Sequence, residues 1–283
     1  MNLIGIGSSG CAVVDILSKH PQYNIFKIDF DLKGKKKDGE FSFPHADTPE
    51  DCETVCPSMK YFFKDLSGST TVFVSGSDLL CAASLKILQE IQNKAQITLV
   101  YMRPDIDLID HTSRMLDRVA FNIFQEYARS GLFDRLFLIS HELLTAAVGE
   151  VPVTEFQGKL TELLASTFHM VATMENTAPV YGNHTAPIDI ARISTMGMLD
   201  AESEEESLLY QLQYPREKTF YYLIPRETLN SDEKLMTKIL KQVKQRVKDD
   251  KIKLNFGVYE TDYDQSYIYV VSSSSIIQGR KLD

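Results

Sequence analysis

The chain opens Met1-Asn2-Leu3-Ile4-Gly5-Ile6-Gly7-Ser8-Ser9-Gly10-Cys11-Ala12-Val13-Val14-Asp15-Ile16-Leu17, and the reading of this stretch decides the fold. Residues 1–4 form an apolar strand pattern and 11–17 a helical one, joined by a literal G-x-G-x-x-G over 5–10. A glycine turn between a first strand and a first helix lets backbone N–H groups approach a phosphate at the helix N-terminus. The next apolar strand ends at Asp29, where a dinucleotide fold places its ribose-binding acid. Taken alone, Gly5, Gly7, Gly10 and Asp29 read as a site for NAD or FAD in a Rossmann oxidoreductase. Such an enzyme also needs a substrate domain with a proton-transfer residue, and the C-terminal part offers none.

Outward from this stretch, strands and helices alternate. Strands are expected at 24–29, 70–75, 97–102 and 136–140, and helices over 82–93 and along 115–127. Leu85, Leu88 and Ile91 are the expected inner face of the first helix. Met115, Val119, Ile123 and Tyr127 are the expected inner face of the second. Alternation of this kind predicts a doubly wound, mostly parallel α/β sheet over 1–152. Residues 153–177 predict one long core helix, apolar over a wide arc through Phe156, Leu160, Leu163, Leu164, Met170 and Val171.

A smaller α+β domain is expected over 178–283. The acidic segment 200–207 reads as a surface helix and 219–224 as a strand. Ser231-Asp232-Glu233 reads as a helix start, ahead of a stripe of Leu235, Ile239, Val243 and Val247. Residues 253–259 and 266–273 read as two strands joined in a hairpin by Thr261-Asp262-Tyr263-Asp264.

Composition narrows the function classes. The chain has 283 residues, 43% hydrophobic and 24% charged, which is an ordinary globular balance. A net charge of −9 argues against a general nucleic-acid partner. The two basic runs, 33–37 and 234–248, read as solvated faces. Four cysteines suit a reducing compartment, and no apolar run approaches a membrane span or a signal peptide. The expected location is cytoplasmic, in a host cytoplasm or virion if the source is a phage. His45, Cys52 and Cys56 lack a suitably spaced fourth ligand, so no metal site is expected. His141, at a strand end, reads as structural, and Ser8 and Ser9 lack the elbow of a nucleophilic serine.

Several segments in order resemble the tubulin/FtsZ superfamily. Residues 4–14 are similar to its first glycine loop, and Arg103-Pro104 stands where it has Lys-Pro. Residues 136–144 are similar to its strand ending in Asn-Asp-x-Leu-Leu. Residues 156–171 are similar to its central helix, and 254–258 with 267–273 to its last strands. In loop wording the nearest are phage-encoded tubulin-like proteins. The resemblance implies GTP or GDP held by Gly7, Ser8, Ser9, Gly10, Asp29, Gly76 and Ser77, self-association into filaments, and hydrolysis by acids supplied from the next subunit.

The first loop keeps Gly7 and Gly10, but the sequence departs from the family pattern in the second loop, the central helix and the catalytic loop. The glycine-rich second loop reads Ser75-Gly76-Ser77-Asp78-Leu79-Leu80-Cys81, with one glycine and an added carboxylate that repels a triphosphate. Leu160 stands where the family offers a carboxylate to the guanine edge, with Thr161 beside it. In the catalytic loop Asp189 survives, while Arg192 replaces the last acid. The expectation is therefore a divergent assembly or structural protein that binds GTP weakly or not at all and has lost hydrolysis. An active filament-forming GTPase, with Asp189 acting in trans, is the alternative.

Overall fold

The structure is a computed structural model that describes residues 1–33, 38–246 and 252–279. Residues 34–37 of the first basic run and 247–248 of the second, with Val247, lie outside the described residues. The chain divides into two compact units, 1–166 and 167–283.

The first unit alternates strand and helix as the sequence predicts. Its strands are β1 (Asn2–Ile6), β2 (Asn24–Asp29), β3 (Glu40–Ser42), β4 (Gly68–Ser75), β5 (Ala95–Arg103) and β6 (Arg135–Ser140). Its helices are α1 (Gly7–Leu17), α2 (Pro49–Val55), α3 (Ser84–Gln89), α4 (His111–Ser130) and α5 (His141–Val148). Helix α6 (Val153–Glu175) begins in this unit. The six strands lie in the order β3-β2-β1-β4-β5-β6, every pair parallel. All five residues of β1 are buried, as are the last six of β4, which is why both read as continuous apolar runs. Chain order reverses between β1 and β4, and a crevice opens beyond the C-terminal ends of strands at such a switch point.

Two expectations about helices are corrected here. The helix expected over 82–93 is a 3-10 turn over Leu79–Ala83 followed by the short α3. On α4, Met115 and Val119 face out, about half exposed, while Ala120, Phe121, Phe124 and Ala128 are buried. Both stripes have helical spacing. The aromatic one wins because Phe124 meets Tyr101 edge-on, with ring centroids 5.4 Å apart.

The second unit contains β7 (Tyr181–Gly182), β8 (Ile193–Leu199), β9 (Glu206–Leu208), β10 (Pro215–Pro225), α7 (Arg226–Ser231), α8 (Leu235–Gln245), β11 (Lys253–Thr261) and β12 (Tyr267–Ser274). The strand order is β8-β12-β10-β11-β7, with β9 on β8. Ile239 and Val243 of α8 pack on Phe220, Tyr222, Phe256, Val258 and Val270 of the sheet. Strands β11 and β12 are not a hairpin, because β10 lies between them, parallel to β11 and antiparallel to β12. The acidic segment is not a helix. The Asp200 carboxylate accepts the Glu202 and Ser203 amides at 3.0 and 2.6 Å, and this turn joins β8 to β9. The Ser231 region ends α7 instead of starting α8, while the Asp232 carboxylate accepts the Lys234 amide at 2.9 Å just before α8. Among the described residues no helix is long and apolar enough to cross a membrane.

Candidate functional site: a carboxylate in the glycine crevice

Helix α1 leaves β1 with no intervening loop. Gly7 makes the turn at φ 74°, a left-handed conformation that favours glycine. Gly10 lets the helix lie on the sheet, since a Cβ there would stand 2.3 Å from the Phe73 carbonyl oxygen. The start of α1 is short of acceptors of its own. Its N-cap, Ile6, has no side chain to offer, and the first turn holds no acid.

Asp78 fills that vacancy from the second loop. Its Oδ2 accepts the Ser9 amide at 3.1 Å, and its Oδ1 accepts the Ser8 and Ser9 hydroxyls at 3.3 and 3.4 Å. The fit is tight: a Cβ on Gly7 would lie 2.5 Å from Asp78 Oδ2. Burial raises the Asp78 carboxyl above the ordinary carboxylate range, the bonds from Ser9 and Ser8 oppose this, and the charge of Asp29 adds to the rise. The loop carrying Asp78 is itself held. Ser75 and Ser77 share a 2.9 Å hydroxyl contact. A Cβ on Gly76 would meet the Tyr101 hydroxyl at 2.2 Å and Asp117 Oδ1 at 2.7 Å.

Tyr101 and Asp117 were not singled out in the sequence. Asp117 is 1% exposed and accepts the Tyr101 hydroxyl at 2.8 Å and Arg103 Nε at 3.5 Å. The Arg103 guanidinium also lies 4.0 Å from the centroid of the Phe121 ring. Arg103 is thus held against the buried face of α4.

Beside Asp78 an open cavity of about 300 Å³ is lined by Ser9, Val13, Ser75, Ser77, Met102, Arg103, Pro104, Asp105, Leu108, Ile139, His141, Leu144, Gln157, Leu160, Thr161 and Leu164, among others. Leu160 is 2% exposed and part of the wall, as expected. The Thr161 hydroxyl donates to the Gln157 carbonyl at 2.9 Å.

Of the residues read as nucleotide ligands, Gly7, Ser8, Ser9, Gly10, Gly76 and Ser77 converge on the crevice. Asp29 ends β2, where its carboxylate accepts the Phe30 amide at 2.8 Å. Asp189 lies in the second unit on an exposed loop, and its carbonyl accepts Arg192 Nε at 2.6 Å. That loop is anchored by Glu217, which the sequence reading missed. Glu217 is buried, and its carboxylate accepts the Ile188 amide at 2.8 Å, Asn255 Nδ2 at 2.7 Å and Lys253 Nζ at 3.0 Å.

At the α1 N-terminus the Ser9 amide and the Ser8 and Ser9 hydroxyls already serve the Asp78 carboxylate, Asp29 adds a second negative charge nearby, and Leu160 offers a base edge no acceptor.

No known family model matches the sequence, and no curated protein matches it. Solved structures do. An empty FtsZ dimer from M. jannaschii aligns with TM-score 0.72 at 11% identity, over 96% of this chain and 87% of that one. A GTPγS-form TubZ protofilament from Bacillus thuringiensis serovar israelensis gives 0.74 at 14% identity, over 96% and 86%. CetZ2 from Haloferax volcanii, a GTPγS-bound protofilament, gives 0.66 at 13% identity, over 96% and 92%. With sheet order, first glycine turn and long helix all in place, the fold of this chain is the tubulin/FtsZ fold.

Proposed function

We propose that the chain is a self-associating assembly protein of the tubulin/FtsZ fold that neither hydrolyses GTP nor requires it. The observation that carries this reading is the Asp78 carboxylate on the Ser9 amide, at the helix N-terminus where the fold would otherwise present its donors to a phosphate. The neighbours known as protofilaments and filaments support self-association as the activity. Its partner is then a second copy of itself or another structural protein, in a cytoplasm. Asp189 stands without a second acid between residues 187 and 192, so the loop lacks the carboxylate pair expected of a hydrolytic site. GTP or GDP is at most a weak occupant of Gly7, Ser8, Ser9, Gly10, Gly76 and Ser77.

The test is nucleotide extraction from purified protein followed by ion-exchange analysis, together with sedimentation with and without GTP. The expected result is no co-purifying nucleotide and the same pellet in both samples. Co-purified guanine nucleotide, or GTP-dependent pelleting abolished by Asp189→Ala, refutes the reading in favour of an active GTPase.

A further inference from the structure

The cavity beside Asp78 has the size of a small-molecule site, about 300 Å³. Its walls are mostly apolar, with Val13, Met102, Ile139, Leu144, Leu160 and Leu164 among them. Leu108 lines it as well and is 77% exposed, a large side chain that an occupant would cover. The uncharged polar groups are the hydroxyls of Ser9, Ser75, Ser77 and Thr161, each already bonded within the protein, the amide of Gln157 and the imidazole of His141.

The charges decide the class of occupant. Asp105 lines the cavity, and Asp78 is bonded to Ser9, another lining residue. Against these two carboxylates stands the Arg103 guanidinium, already placed over Phe121 and beside the buried Asp117. An anion entering here would meet repulsion strengthened by the low dielectric of the walls. A polyphosphate would additionally compete with Asp78 for the Ser9 amide.

We infer that this cavity binds an uncharged, largely apolar molecule and discriminates against the same scaffold carrying an anionic group. The inference rests on the proposed function only in taking the Asp78 carboxylate as the standing occupant of the crevice.

Two matched pairs test it: naphthol against naphthalenesulfonate, and guanosine against GTP, each followed by ligand-observed NMR and calorimetric titration. The uncharged member of each pair should bind at least about tenfold more tightly than its anionic partner. Asp105→Asn should narrow that gap. Leu160→Trp should fill the cavity and abolish binding. Leu108→Ala, at an exposed position where folding is not at risk, should weaken naphthol by about fivefold with an unchanged melting temperature.

Equal or tighter binding of either anion overturns the inference, as does failure of both uncharged probes to bind. If naphthol and guanosine fail while assembly stays independent of GTP, the inference alone falls. GTP-dependent assembly with naphthol still preferred over naphthalenesulfonate removes the functional reading alone.

Discussion

Replacing Asp78 by alanine tests whether its carboxylate serves as the cap of α1. The substitution removes one bond from the Ser9 amide at 3.1 Å and two from hydroxyls at 3.3 and 3.4 Å. Loss of an N-cap oxygen costs about 0.5–2 kcal/mol, and loss of an anion at the positive end of the dipole about 0.3–1 kcal/mol. The serine hydroxyls can turn to water, and the cost of burying a carboxylate is recovered. The 3-10 turn that follows Asp78 takes no side-chain cap from it, so nothing is lost there. The net expectation is a destabilisation of about 1 kcal/mol, or about 2–4 °C in Tm for a chain of this size. Urea unfolding followed by circular dichroism at neutral pH measures it. The pH dependence has a defined sign. Burial raises the folded pKa, so the native state holds this proton more tightly than the unfolded chain does. The protonation-linked stabilisation is full below the ordinary carboxylate pKa and is lost as pH rises through the folded value. The gap between wild type and Asp78→Ala should therefore widen on mild acidification. Unchanged or increased stability of the variant at neutral pH refutes the capping role, and a gap that narrows on acidification refutes burial as the dominant influence. Pyrophosphate should raise the Tm of the variant, whose Ser9 amide is released, and leave the wild type unmoved.

Three further outcomes follow from the same geometry. Gly10→Ala would drive a Cβ to 2.3 Å from the Phe73 carbonyl oxygen, a backbone atom, and should cost roughly 1–3 kcal/mol in urea unfolding whether or not nucleotide is present. Tyr101→Phe leaves the buried Asp117 without its 2.8 Å hydroxyl bond and should destabilise by about 1–3 kcal/mol; a cost within error would show that Arg103 suffices. Glu217→Ala releases the Ile188 amide from its 2.8 Å bond and removes the partner of Lys253, so hydrogen exchange over 187–191 should accelerate while α1 stays protected.

The fold was legible where burial is two-sided. Strands β1, β4, β5 and β6 are packed on both faces and read as apolar runs, and the glycines at 7 and 10 mark backbone positions that no side chain can occupy. Helix α4 was misread because it carries two apolar stripes, and spacing alone cannot say which one meets Tyr101. The supposed hairpin failed for a topological reason: β10 inserts between β11 and β12, a long-range pairing with no local signal. In the crevice, the residues were legible and their partners were not. Asp78 was visible as an unexpected charge, but its bond to Ser9 spans 69 positions. Glu217 and Asp117 did not stand out in the sequence because their partners, Ile188 and Tyr101, lie 29 and 16 positions away.

Read from sequence, Asp78 is a defect, a negative charge where a phosphate should go. Its contacts give it a second meaning. Helix α1 begins directly on β1 with no capping side chain and no acid in its first turn, so its first N–H groups need an acceptor from elsewhere. A bound phosphate would serve, but then the stability of the crevice would rise and fall with ligand concentration. A carboxylate carried on the neighbouring loop is always present. It satisfies the Ser9 amide at 3.1 Å, and the price is the desolvation that pushes its own pKa up. On the proposed function, the residue that disfavours nucleotide also makes the helix start independent of it. An assembly protein of the proposed kind would keep its crevice folded with no nucleotide cycle, and on that reading Asp78→Ala, more than any change at Asp189, should confer sensitivity to added phosphate.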